Sequence, residues 1–175
     1  MEARSRATRV KLLAFDIDGV LTDGCMYYSG KGETFKVFNV HDGFGIKLAK
    51  LSGIEVAIIS SRKSEMVAAR AADLGITHVY QGVPNKRTLL AGLLEKVGFG
   101  WPGVAFMGDD LVDLPAMVRS GMALAPANAV SQVRAHAHYV TQAKAGDGAV
   151  REAIDYILAA QGKLDAIVAG YVDQA

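Results

Sequence analysis

The sequence predicts a doubly wound, parallel α/β sheet with a β-hairpin inserted after its first strand. Three observations predict it. Short apolar runs suited to strands buried on both faces alternate with helical patterns. Glycines stand where three of those helices should stop. One segment near the N-terminus breaks the rhythm with two strand-like runs around a tight turn.

Taken in order, Val10–Phe15 reads as the first buried strand and ends in "DIDG". The segment "CMYYSGKGETFKVFNV" follows, with Ser29-Gly30-Lys31-Gly32 at its turn, so a hairpin is expected over about 25–39. Phe44, Leu48 and Leu51 recur at helical spacing before Gly53, and "VAIIS" (Val56–Ser60) is the next strand. Val67, Ala71 and Leu74 precede Gly75, and Thr77–Tyr80 is a short strand. Leu90, Leu93, Leu94 and Val97 precede Gly98, and "VAFMG" (Val104–Gly108) repeats the buried-strand pattern. Met122–Ala125 and Tyr139–Thr141 complete the strands, and Val150, Ile154, Ile157 and Leu158 mark the last strong helical stripe. Strands alternating with helices argue for parallel connections. Residues 1–8 and a tail over about 162–175 are expected to be mobile.

The 175 residues suit one domain spanning 1–175, large enough to bury roughly 70% of its unfolded surface without a disulfide or structural metal. Nineteen basic and 18 acidic residues leave a formal charge of +1, which offers no footprint for nucleic acid or an anionic membrane. The apolar run near the N-terminus is cut by Asp16, and no run is long enough to cross a bilayer. With Cys25 as the single cysteine, no internal disulfide can form, and a cytoplasmic location is expected.

The chemistry is concentrated at strand ends, where ligands bind in open α/β sheets. Asp16 and Asp18 follow the first strand, Ser60, Ser61 and Arg62 the second long one, and Asp109 and Asp110 the "VAFMG" strand. Lys86 opens a helix. Asp16, Asp109 and a backbone carbonyl would make a hard oxygen site of the kind Mg²⁺ prefers. The ion would offset their mutual repulsion and draw in a phosphoryl group, whose other oxygens Ser60 and Lys86 can meet. One carboxylate can then attack phosphorus, and a second, two residues on, can protonate the leaving oxygen and later activate water. A plainer reading makes Asp109 and Asp110 helix caps, places Asp113 for the helix dipole and leaves Ser60 an ordinary strand-end hydroxyl. Asp16 and Asp18 resist such a reading, since a turn needs only one Asx.

These motifs resemble the haloacid dehalogenase superfamily of phosphohydrolases, with its Rossmann-like sheet. "DIDGVLT" matches the first motif, Ser60 the second, Lys86 the third, and "GDDLVD" (Gly108–Asp113) the fourth, in the right order. The resemblance implies that Asp16 is the nucleophile and Asp18 the general acid/base. It implies that Asp16, the Asp18 carbonyl and Asp109 hold Mg²⁺, that Ser60 and Lys86 hold the phosphoryl group, and that Asp110 or Asp113 contacts the metal through water.

Only 41 residues separate Asp18 from Ser60 and 22 separate Lys86 from Asp109, so neither gap holds a cap domain. Capless members with this hairpin are similar to the 3-deoxy-D-manno-octulosonate 8-phosphate phosphatases of lipopolysaccharide synthesis, through "YQG", "GAVRE" and "AAQGKLD". That resemblance implies a homotetramer built on the hairpins. It also implies sugar-acid contacts at Asn39, Val40, His41, Asp42, Gly43, Lys47, Arg62, Arg70 and Lys86. His41 and Lys47 stand where the family usually has Arg, and Asp147 stands where it has a basic residue. A nonulosonate 9-phosphate is therefore the competing substrate. A receiver domain lacks the acid it would need in "VAIISSR", and a non-catalytic module attached to a sugar nucleotidyltransferase remains the third class.

Overall fold

Six parallel strands form the central sheet, and their order places the first strand in the middle. The structure, a computed structural model, describes residues 2–173. Met1 and the last two residues of the expected tail lie outside the described residues. The sheet strands are β1 (Leu12–Phe15), β4 (Glu55–Ile59), β5 (His78–Tyr80), β6 (Val104–Met107), β7 (Met122–Ala125) and β8 (Tyr139–Val140). They run in the order β5-β4-β1-β6-β7-β8. β1 pairs with β4 on one side, Phe15 opposite Ile58, and with β6 on the other, Phe15 opposite Met107. The remaining strands, β2 (Tyr27–Ser29) and β3 (Gly32–Phe35), form the expected antiparallel hairpin.

Side chains alternate between the two faces of a strand, and the core divides accordingly. Leu13 and Phe15 pack into one cluster with α2 (Val40–Leu51), α3 (Glu65–Asp73) and α7 (Ala149–Ala160). Leu12 and Ala14 pack into the other with α4 (Lys86–Val97), α5 (Leu114–Met117) and α6 (Ser131–His136). Both faces of β1 are therefore dry, which is why its sequence is apolar throughout and its first charge comes only after Phe15. Gly53, Gly75 and Gly98 follow α2, α3 and α4 with left-handed φ of 80°, 63° and 71°, the conformation that ends a helix at low strain.

One expectation is corrected. The α2 stripe was expected at Phe44, Leu48 and Leu51, but Ile46, Leu48 and Ala49 are buried while Phe44 and Leu51 are exposed. This helix packs tightly against α7, and a Cβ at Gly45 would stand 2.9 Å from Arg151 Cδ, so small residues rather than large apolar ones mark the contact. Described residues toward both ends also form helices that touch the core. α1 (Ala3–Ala7) buries Ala7, and Gln161 Nε2 donates to Ala7 O at 3.2 Å and Val10 O at 2.9 Å. α8 (Leu164–Val172) seats Leu164 and Ile167 on the core. Among the described residues no helix is long and apolar enough to cross a membrane.

Candidate active site

The loops after β1, β4 and β6 open side by side at the carboxyl edge of the sheet, because those strands are neighbours. Asp16 takes the first position after β1, and its N–H donates to Met107 O at 3.1 Å, so it leaves the sheet still in register with β6. The next residues fold back on Thr22. Its Oγ1 accepts from Gly19 N and Gly24 N, each at 3.3 Å. Gly19 has φ +86°, and a Cβ there would lie 2.1 Å from Asp109 Oδ2. Glycine at this place is what lets the β1 loop close onto the Asp109 carboxylate.

Lys86 is the first residue of α4, behind an Asn85 cap whose Oδ1 accepts from Thr88 N at 3.0 Å. Its ammonium is buried between Asp16 Oδ1 at 2.8 Å and Asp113 Oδ1 at 2.6 Å. Asp113 is fully buried, and its Oδ2 accepts from Asp109 N at 3.0 Å and Asp110 N at 3.3 Å. Asp113 is thus the fixed centre of the site. One oxygen orients the lysine and the other holds the loop that carries Asp109. Asp110 points outward and caps its own turn, accepting from Leu111 N at 2.7 Å.

Carboxylate oxygens of Asp16, Asp109 and Asp113 lie within 4.8 Å of one another, the one such group among the described residues. Burial pushes the Asp109 carboxyl up to about 7, helped by the negative charges of Asp113, Asp16 and Asp110 and countered by Lys86. Burial and Asp113 likewise raise Asp16, against the pull of Lys86. Burial disfavours the Lys86 cation, but Asp16 and Asp113 outweigh it and raise its pKa. Three acids share one lysine, so a further cation is electrostatically welcome. The oxygen donors suit Mg²⁺. Asp113 has both oxygens engaged within the protein, which leaves Asp16 and Asp109 as the carboxylates free to hold it.

The other expected residues fall into separate groups. Ser60 is buried at the end of β4, next to β1, and its Oγ accepts from Arg62 N at 3.2 Å. Asp18 meets the hairpin, where its carboxylate is bonded to Lys36, and it lies 3.5 Å from Arg62 Nε. Lys36 and Glu33 were missed in the sequence. The available signal was a lone lysine in the strand-like run "TFKVF".

The residues of α2 mostly do structural work. Asn39 caps that helix, its Oδ1 accepting from His41 N at 2.7 Å and Asp42 N at 3.3 Å. Asp42, expected to touch a sugar acid, is buried and accepts from Arg151 N at 2.8 Å. It therefore caps α7 from outside, which has Gly148 at its own cap position and no local side chain for the purpose. Gly43 makes room for Arg70, whose Nη2 would stand 2.2 Å from a Cβ there. Arg70 is tied to Asp73 at 2.7 Å and lies over the Phe38 ring. Val40, His41 and Lys47 are exposed.

With that geometry in view, the comparisons are specific. The haloacid dehalogenase-like hydrolase family matches residues 74–154, which include Lys86 and Asp109 to Asp113. The chain is 48% identical over 164 residues to the 3-deoxy-D-manno-octulosonate 8-phosphate phosphatase KdsC of Escherichia coli strain B, covering 94% of this chain and 87% of that one. It superposes on the enzyme of that name from Moraxella catarrhalis, solved with magnesium ion, phosphate ion and KDO, with a TM-score of 0.94 and 43% identity, covering 97% of each chain. The Yersinia pestis enzyme gives a TM-score of 0.91 and 45% identity over 93% of this chain and 88% of the other.

Proposed function

The chain belongs to the haloacid dehalogenase-like hydrolases, among the 3-deoxy-D-manno-octulosonate 8-phosphate phosphatases, and from that premise we propose that it converts this phosphomonoester to KDO and phosphate for lipopolysaccharide biosynthesis. The observation that carries the reaction class is the convergence of Asp16, Lys86, Asp109 and Asp113 at the carboxyl edge of the sheet.

In this reading Asp16 attacks phosphorus and the bond to the sugar oxygen breaks, leaving an aspartyl-phosphate. Asp18 gives its proton to the departing oxygen, then takes one from the water that cleaves the acyl phosphate and regenerates Asp16. Lys86 and the Ser60 hydroxyl hold the phosphoryl oxygens. Mg²⁺, held by Asp16, Asp109 and the Asp18 carbonyl, supplies positive charge that attracts the phosphoryl group and relieves the repulsion among the acids.

The substrate assignment draws on the Moraxella catarrhalis enzyme, which was solved with KDO and magnesium. Arg62 stands 3.5 Å from the Asp18 carboxylate, and with Arg70, His41 and Lys47 it is read as the reserve of positive charge for a sugar carboxylate. Between Asp18 and Ser60 the chain holds the hairpin, α2 and β4 and no cap domain, so the site is read as open. An open site asks for walls from elsewhere, and the exposed Tyr28 and Phe35 of the hairpin support a homotetramer built there.

The test is phosphate release from 3-deoxy-D-manno-octulosonate 8-phosphate, set beside a nonulosonate 9-phosphate, with Mg²⁺ and with EDTA. Turnover of the octulosonate ester that needs Mg²⁺ and vanishes in Asp16→Asn is expected. Faster turnover of the nonulosonate ester would transfer the assignment, and a folded Asp16→Asn with substantial activity would defeat the mechanism.

A further inference from the structure

The roles above leave the charged side chains of the hairpin unused. Lys36, just beyond β3, has a side chain only 2% exposed. Its ammonium is bonded to the Asp18 carboxylate and lies 2.8 Å from Glu33 Oε1. Arg62, beyond β4, stands 3.5 Å from the second Asp18 oxygen and 3.9 Å from Glu33 Oε1, and its Nη2 donates to Tyr28 Oη at 3.3 Å. Two cations and two carboxylates thus alternate around a closed ring drawn from three separate chain segments. Lysines are almost never buried unless paired, and ordering four long side chains opposes folding. Asp18 is the one member of the ring that also stands two residues from the Asp16 carboxylate.

We propose that Lys36 is a positioning residue: braced by Glu33 on the hairpin, it fixes the Asp18 carboxylate in the orientation from which protons pass to the leaving oxygen and from water. Lys36 keeps its own protons throughout. The proton that moves is shared between Asp18 and the substrate oxygen in the first half of the reaction, and between Asp18 and water in the second. The proposal rests on the phosphatase reading and deepens it. Through it the hairpin, which contributes no group to the phosphoryl site itself, acts on the chemical step. Aliphatic esters depend on it most, because an alkoxide leaves poorly without a proton.

A double-variant cycle with Mg²⁺ tests it, read as phosphate release from the octulosonate ester. Lys36→Met is expected to lower kcat by about 10²-fold while KM stays within about threefold, since misplacing a catalytic group acts on the reaction rather than on ground-state binding. Asp18→Asn/Lys36→Met should be no slower than Asp18→Asn alone, and Lys36→Arg should recover most of the loss. Losses that multiply in the double variant, a raised KM with unchanged kcat, or wild-type kcat in Lys36→Met would each overturn the proposal. If Lys36→Met loses its cooperative melt, Glu33→Gln takes its place. It keeps the side-chain volume, and it must slow the enzyme only where Asp18 is intact. p-Nitrophenyl phosphate is the second substrate. A wild type active on it but inert on the octulosonate ester defeats the substrate assignment alone, and the cycle is then read on the nitrophenyl ester, where Asp18 still has a water to deprotonate.

Discussion

Lys86 Nζ lies 2.8 Å from Asp16 Oδ1 and so ties the start of α4 to the end of β1. A cation in the first turn of a helix is opposed by the helix dipole, so its position is set by the carboxylates it faces. Lys86→Met removes that cation and leaves Asp16 and Asp113 buried without their partner. The metal-free variant should lose about 3–5 kcal/mol of stability in urea unfolding, part of it regained with Mg²⁺. Its kcat should fall by about 10²–10³-fold, the usual loss of one fixed electrostatic contact to developing charge. Wild-type stability in the metal-free variant would contradict the pairing.

The response to magnesium should depend on pH. Asp109 titrates at about 7 and Asp16 at about 6 in the folded, metal-free chain, both raised chiefly by burial. The folded state therefore holds these protons more tightly than the unfolded state does. Over this range the two groups make the metal-free fold less stable as pH rises, until both have ionised. Mg²⁺ competes with the same protons, so the Tm increase it produces should be small at about pH 5 and larger at about pH 8. Melts with and without the ion at each pH isolate this effect from His138, whose lowered pKa acts in the opposite direction on both. An equal increase at both pH values would refute it.

Asp42 separates a structural from a binding role. Because it caps α7 through Arg151 N, Asp42→Ala should lower stability by about 0.5–2 kcal/mol. KM for the sugar phosphate should change little beside that loss. A raised KM with unchanged stability would return Asp42 to the binding site.

The proposed homotetramer rests on the hairpin. Tyr28 and Phe35 are 62% and 51% exposed, a larger apolar display than an isolated two-stranded ribbon tolerates well. Light scattering of the wild type should give a tetramer mass, and Tyr28→Asp/Phe35→Asp should give a smaller one. A monomeric wild type at micromolar concentration would rule the assembly out.

The fold was legible in the sequence because each strand buried on both faces must be apolar along its whole length. That requirement marks β1, β4 and β6 by composition, and the charges that follow them mark the open edge of the sheet. The approach of Asp16 to Asp109 was legible for the same reason, since side chains leaving adjacent strand ends must meet, and Lys86 joins them from the start of α4. Tertiary structure alone decided three further matters. Asp42 caps α7, a helix that begins 107 positions later at Ala149. Asp113 is the centre of the site, because its two oxygens are divided between a lysine and two backbone N–H groups. Lys36 reaches Asp18, because the hairpin folds back over the β1 loop. Periodicity in a sequence reports which face of an element is dry. It carries no information about which distant groups share one carboxylate, since those contacts are fixed by packing between segments that local sequence does not relate.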